Sequence, residues 1–398
     1  MMNKLHLIFG RLTKLSCCLI ILSLVMASCQ KDEPELNSEN EKTLFIYMPW
    51  STNLLENFET NLVDLETSIS RNGLKNQRVI VFLSTTPREA TLFEITCKKG
   101  KCERTTLKEY TDPPFTTAHG IASILNDVKS NAPASVYSMI IGCHGMGWIP
   151  VSSTLTRAAS SFKFHWDSEG TVQTRYFGGI SSSYQTDITT LAEGLESAGL
   201  KLEYLLFDDC YMSNIEVAYD LRKVTRYLIA CTSEIMAYGM PYATMGKYLL
   251  GEPDYEAICN DFYSFYSTYT LKPCGTLGVT DCSEVDALAS VMKEINTRYT
   301  FDTTLRPSLQ RLDGYLPVIF YDFGDYVAHL CDDPQLLKKF EEQLQRTVPH
   351  HVHTEYYYSA LTNTDYKINT FSGITVSDPS TNILTNGKTN TGWYSATH

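Results

Sequence analysis

Two hydrophobic periods take turns along this chain, and each predicts its own kind of element. Short apolar runs near residues 43–48, 78–83, 136–142, 203–207 and 227–231 have the length of buried strands. Between them, apolar residues recur at helical spacing near 54–70, 117–130, 187–198 and 213–223. Strands alternating with helices predict an α/β fold, an α-β-α sandwich on a mostly parallel central sheet. The segment 91–110 reads as an inserted hairpin. Beyond Pro241 the spacing predicts a helix near 254–270, a strand from Thr276 to Thr280, and helices near 283–298, 319–331 and 334–346. Phe371 to Val376 reads as a late strand, with Thr391-Gly392-Trp393 closing the fold. The chain has no internal repeat and no low-complexity tract.

Two of the predicted strands end on reactive side chains. The run Tyr204-Leu205-Leu206-Phe207 stops at Asp208-Asp209-Cys210, and helical spacing follows. Ile215, Val217, Ala218 and Leu221 line one face of that helix, with Glu216 and Asp220 on the other. A thiol between a buried strand and a helix N-terminus meets N–H groups that favour a thiolate and an oxyanion. Most free cysteines are only small buried hydrophobes, so Cys210 needs a partner. The strand Val136 to Gly142 supplies one, ending at Cys143-His144-Gly145-Met146-Gly147-Trp148. In open α/β sheets chemistry collects at the carboxyl ends of strands, where His144 and Cys210 both fall. Together they point to a Cys–His peptidase.

The motifs resemble the clostripain family of cysteine peptidases, relatives of caspases, legumains, gingipains and separases. The matching segments are HGMGW at 144–148, DDCYMSNIEVAYDLRKVTRYLIACTSE at 208–234, GMPY at 239–242 and KTLFIYMPWSTNLLENFETNLVDLE at 42–66. The resemblance spans roughly residues 43–250 and implies a caspase-like sandwich. It implies Cys210 as nucleophile, His144 as proton donor to the leaving amine, and the N–H groups of Gly145 and Cys210 as oxyanion donors. No third orienting residue is required in this group. Gly147 and Trp148 are expected to shape the crevice wall. The family prefers Arg or Lys before the scissile bond, and Asp208 matches an acid of that pocket. The alternative reading of Asp208 is a helix N-cap that satisfies N–H groups and binds nothing. Asp209 departs from the family, where a small residue is commoner. A second family acid would fall close to Tyr238, where this chain reads Ala237-Tyr238-Gly239.

The first residues change the picture of where the enzyme works. Lys4, Arg11 and Lys14 precede an apolar run from Leu15 to Val25, and Ala27-Ser28 stand before Cys29. Residues 1–28 read as a secretory signal that resembles a bacterial lipoprotein signal, with Cys29 lipidated, the alternative being an ordinary signal peptide with an incidental cysteine; 29–42 read as a flexible anchored tether. Gln30-Lys31-Asp32-Glu33 resembles an export tag of surface lipoproteins, which places the protein at the outer membrane of a bacterial envelope. The peptidase domain is expected over 43–398. The net charge is −12, and loss of the three basic signal residues takes it to −15, which argues against nucleic acid as a partner.

Of the twelve cysteines, Cys97 and Cys102 flank a hairpin tip and could cross-link, and no CxxC pair suggests zinc. His350, His351 and His353 lack acidic or Cys partners and make no metal site, so no metal ligand is assigned. No cofactor is implied, and a calcium requirement is left open. The Ser/Thr-rich stretch 150–186, with Arg157, Lys163 and Arg175, is a long connection of the kind that is functional or disordered. The resemblance to the clostripain family implies an activation cleavage in this region, so self-cleavage is expected at Arg157 or Lys163. The expected partners are a polypeptide substrate and, through Cys29, a membrane. Two other readings stay open: a surface-binding lipoprotein on a silent scaffold, and a thiol hydrolase or transpeptidase, including a peptidase without basic P1 preference.

Overall fold

The apolar runs pair into one sheet of nine strands in a computed structural model that describes residues 41–151, 179 and 182–398. In chain order they are β1 (Lys42–Met48), β2 (Gln77–Thr86), β3 (Glu89–Lys98), β4 (Lys101–Thr111), β5 (Val136–Gly142), β6 (Leu202–Asp208), β7 (Thr225–Ala230) and β8 (Thr276–Asp281). After a short strand β9 (Tyr321–Asp322) in a separate ribbon comes β10 (His350–His353), the ninth member. The spatial order is β10-β8-β7-β6-β5-β1-β2-β3-β4. The five strands β7, β6, β5, β1 and β2 are parallel, and the pairs at both edges are antiparallel. Central strands covered on both faces read as unbroken apolar runs, which is why Val79–Phe82 and Tyr204–Phe207 are fully buried.

The helices are α1 (Leu55–Asn72), α2 (Ala118–Asn131), α3 (Ile188–Ser197), α4 (Ile215–Leu221), α5 (Tyr242–Leu249), α6 (Tyr255–Tyr266), α7 (Val285–Arg298), α8 (Phe323–Leu330), α9 (Pro334–Thr347) and α10 (Gly392–Thr397). They pack in two groups, α1 with α5 and α6, and α2, α3 and α4 with α7, α9 and α10. Two such groups are what layers on opposite faces of a sheet require.

Several expectations shift. The helix expected from 319 starts at Phe323, because Tyr321–Asp322 pairs with Thr375–Val376 and Asp322 caps α8 through the Asp325 N–H. The late strand shrinks to that pair, β13 (Thr375–Val376), which follows the ribbon of β11 (Tyr356–Ser359) and β12 (Thr364–Lys367). The His tract forms the edge strand β10 against β8, and Tyr357 and Tyr358 are buried in β11. Helix α5 carries no strong sequence signal and follows directly on Pro241. Glu216 is buried, contrary to the polar face expected for α4, and accepts the Ser377 N–H at 2.8 Å. Cys97 and Cys102 face each other across β3 and β4 as free thiols. The signal, Cys29, most of the tether, Arg157, Lys163 and Arg175 lie outside the described residues.

Candidate active site

Strand register brings the two reactive ends together. β5 and β6 are parallel neighbours with Gly142 opposite Asp208. His144 and Cys210 each stand two residues beyond that pair, so they leave adjacent strands at the same level. Neighbouring strands are only about 4.8 Å apart.

Asp209 ties the two loops. Its Oδ1 accepts the Cys143 N–H at 2.6 Å, and its Oδ2 accepts the Cys143 thiol at 3.5 Å. Gly145 lies so close that a Cβ there would sit 2.1 Å from the Cys210 carbonyl oxygen. Only glycine lets the His144 loop rest on the Cys210 backbone. The Cys210 thiol is fully buried against Ile235, donating to its carbonyl at 3.7 Å and accepting its N–H at 3.4 Å.

The turn after Cys210 is strained and held from outside. Tyr211 has φ of 59°, unfavourable for a bulky side chain. Its hydroxyl donates to Glu234 Oε1 at 2.6 Å, and its ring stacks on Phe320 at 5.3 Å. Glu234 also accepts the Ser359 hydroxyl at 2.6 Å and the Ala360 N–H at 2.9 Å, tying the β11 ribbon to the Cys210 loop. Tyr315 from the same half of the chain donates to Met146 Sδ at 2.8 Å, two residues beyond His144.

His144 is buried, and its Nε2 lies 2.8 Å from Asn53 Oδ1. Asn53 stands in the loop after β1, next in the sheet to β5. Sequence reasoning missed it; the one available signal was its place at the carboxyl end of a strand.

The N-cap reading of Asp208 is corrected. Asn214 caps α4 by accepting the Val217 N–H at 3.2 Å, and α4 begins five residues beyond Cys210. Asp208 is instead fully buried, accepting the Met240 N–H at 2.9 Å and the Tyr242 hydroxyl at 3.0 Å. Tyr238 donates to Asp64 Oδ2 at 2.6 Å and stacks on Phe265. Burial, then Asp64 and more weakly Asp208, push the Tyr238 hydroxyl's pKa upward. Tyr238 thus touches a carboxylate supplied by α1. Trp148 contacts the C-terminal segment: its indole N–H donates to Ser377 Oγ at 2.9 Å, and it lines a cavity of about 250 Å3 with Pro150, Asp220 and Thr391.

A thiol and an imidazole thus stand at neighbouring strand ends of an α/β sandwich, and the class of protein, a cysteine peptidase, follows from its relatives. The sequence profile of the Clostripain family matches residues 46–366, and the chain belongs to that family. A secreted cysteine protease of that family from Bacteroides thetaiotaomicron, iotapain, is 60% identical with a TM-score of 0.84, spanning 90% of this chain and 99% of its own. A clostripain from the same organism, in complex with the peptide inhibitor BTN-VLTK-AOMK, is 65% identical over 56% of this chain and 99% of its own, with a TM-score of 0.55. An inactive zymogen protease from Parabacteroides distasonis shares the fold at 23% identity and a TM-score of 0.75, spanning 90% of this chain and 98% of its own. No curated protein sequence matches the chain.

Proposed function

We propose that this cysteine peptidase works through a Cys210–His144 dyad, cleaves after Lys or Arg, and is anchored to the bacterial envelope by a lipid on Cys29. The observation that carries the dyad is the register of Gly142 on Asp208, which sends both residues off adjacent strands together. Cys210 Sγ attacks the scissile carbonyl, the N–H groups of Gly145 and Cys210 receive the oxyanion, and His144 protonates the departing amine. Water then releases the acyl group and regenerates the thiol. One oxyanion donor contributes about 3 kcal/mol to such a step.

The carboxylates at Asp208 and beside Tyr238 support a cationic P1 residue, with the loop of Trp148 backing the crevice. The inhibitor held by the 65% identical relative carries a peptide ending in Lys. The absence of an acid at 238 itself favours a second reading, a peptidase without basic P1 preference. The anchor rests on the Ala27-Ser28-Cys29 sequence, and the 60% identical relative is described as secreted. No helix among the described residues is long and apolar enough to cross a membrane. Self-cleavage between 150 and 186 completes the proposal, and a wild-type protein that stays one chain counts against it. The deciding experiment is hydrolysis of a P1-diverse fluorogenic peptide library beside Cys210→Ala. Cysteine-dependent cleavage after Lys or Arg is the expected result, and cleavage retained by the alanine variant overturns the dyad.

A further inference from the structure

The hairpin of β3 and β4 carries two cysteines that peptidase chemistry does not use. Its strands meet in a two-residue turn, with Lys98 opposite Lys101 and with Lys99 and Gly100 at φ of 52° and 76°. Positive φ at both central residues is the type I′ turn, whose twist matches the strands it joins. The closing pair of such a hairpin is hydrogen-bonded, and hydrogen-bonded and non-hydrogen-bonded pairs alternate along the ladder. Cys97 opposite Cys102 is the next pair, hence a non-hydrogen-bonded one. There Cα atoms approach to about 4.5 Å, within the span of about 4.4–6.8 Å that a disulfide bridges. Both thiols are free and half-buried. Cys102 Sγ donates to the Glu66 carbonyl at 3.4 Å. Burial, and then the Cys97 thiol beside it, push Cys102 up to about 12.

We propose that Cys97 and Cys102 form an intramolecular disulfide when they meet a small-molecule or protein disulfide as oxidant. The Cys97 thiolate attacks one sulfur of the oxidant, breaking its S–S bond and releasing half of it as a thiolate. The Cys102 thiolate then attacks Cys97 Sγ and expels the other half. Two protons pass from the cysteines to the departing thiolates, so the oxidant is reduced to two thiols as the protein disulfide forms.

The bond closes around Lys98, Lys99 and Lys101, three exposed lysines of the kind the proposed P1 preference selects. This consequence, unlike the disulfide, rests on the basic-P1 reading. A cut after any of the three leaves the strands covalently joined. β4 then stays on α1, where Arg104 bonds Glu59 at 2.7 Å and Glu66 at 2.5 Å.

The test uses the full-length chain with Cys210→Ala, equilibrated with glutathione and glutathione disulfide, alkylated, digested with chymotrypsin and mapped by mass spectrometry. The expected product is one peptide holding both cysteines, two hydrogens lighter than the dithiol. Cys97→Ser should leave Cys102 alkylated or glutathionylated. Full alkylation of both thiols in the oxidising buffer, or linkage of either to another cysteine, overturns the disulfide. In the active enzyme, reduction should expose cleavage at the tip, with the halves staying joined when oxidised. A tip that survives in the reduced active enzyme overturns the protective role and leaves the disulfide standing, so the two failures are distinguishable.

Discussion

The Nε2 atom of His144 sits 2.8 Å from the side-chain oxygen of Asn53, which comes from the neighbouring strand's loop. An amide oxygen can only accept, so in this contact the ring donates from Nε2 and Asn53 orients the imidazole. Asn53→Ala should lower kcat about tenfold, the worth of roughly 1.4 kcal/mol of orientation, with KM little changed. The check is a steady-state comparison over a pH series. Unchanged kcat and an unchanged pH profile would remove Asn53 from the mechanism.

Asp209 supplies the Cys143 N–H with its acceptor at 2.6 Å in a fully buried position. Asp209→Ala strips that acceptor away, and a buried donor without one costs about 1–3 kcal/mol. The variant should melt several degrees lower and lose kcat as the two loops drift apart. Asp209→Asn, which keeps one acceptor oxygen, should recover part of both. Thermal melts beside single-turnover kinetics test this.

Specificity should track the carboxylates. Asp208→Asn keeps an acceptor for the Met240 N–H but removes the charge. A hydrogen bond to a charged group contributes about 1.5–3 kcal/mol, so kcat/KM on Lys substrates should fall about tenfold to a hundredfold. An uncharged norleucine analogue should be almost unaffected. Asp64→Asn should lower the same Lys-to-norleucine ratio by less. Equal losses on both substrates would mean that Asp208 shapes the fold rather than reads charge.

Stability should decline as pH rises. Burial, and then the Asp378 carboxylate, push the Glu216 carboxyl up to about 8 from the ordinary 4.5 of a glutamate. The folded chain therefore keeps a proton that the unfolded chain has lost. It binds more protons than the unfolded chain between those values, so stability falls as pH rises through that window. Burial also pushes Asp313 up to about 7 and Asp322 up to about 6, in the same direction. Glu216→Gln keeps an acceptor for the Ser377 N–H and should flatten the fall in Tm between about pH 5 and 8. A parallel decline in both proteins would place the titration elsewhere.

Much of the fold was legible in the chain because strands and helices are local patterns. The runs at 136–142 and 203–207 needed only their own composition to be read as buried strands. The turns after them, Cys143-His144-Gly145 and Asp208-Asp209-Cys210, announced chemistry by residue type alone. Less legible were elements whose burial depends on distant partners. β10 is masked by three histidines, and its pairing with β8 reaches across about seventy residues. Glu216 read as a surface residue because helical spacing cannot foresee the segment around Ser377 that covers it.

By itself, the sequence determined the alternation of strand and helix, the two reactive side chains, and the strand ends that carry them. Hydrophobic period and turn chemistry act over a few residues and so survive in one dimension. Tertiary structure alone decided the partners: Asn53 on His144 across 91 positions, Asp209 on Cys143 across 66, Trp148 on Ser377 across 229. Those contacts follow from strand order. Placing β1 and β6 on either side of β5 is a choice of the whole buried core, and no local pattern records it.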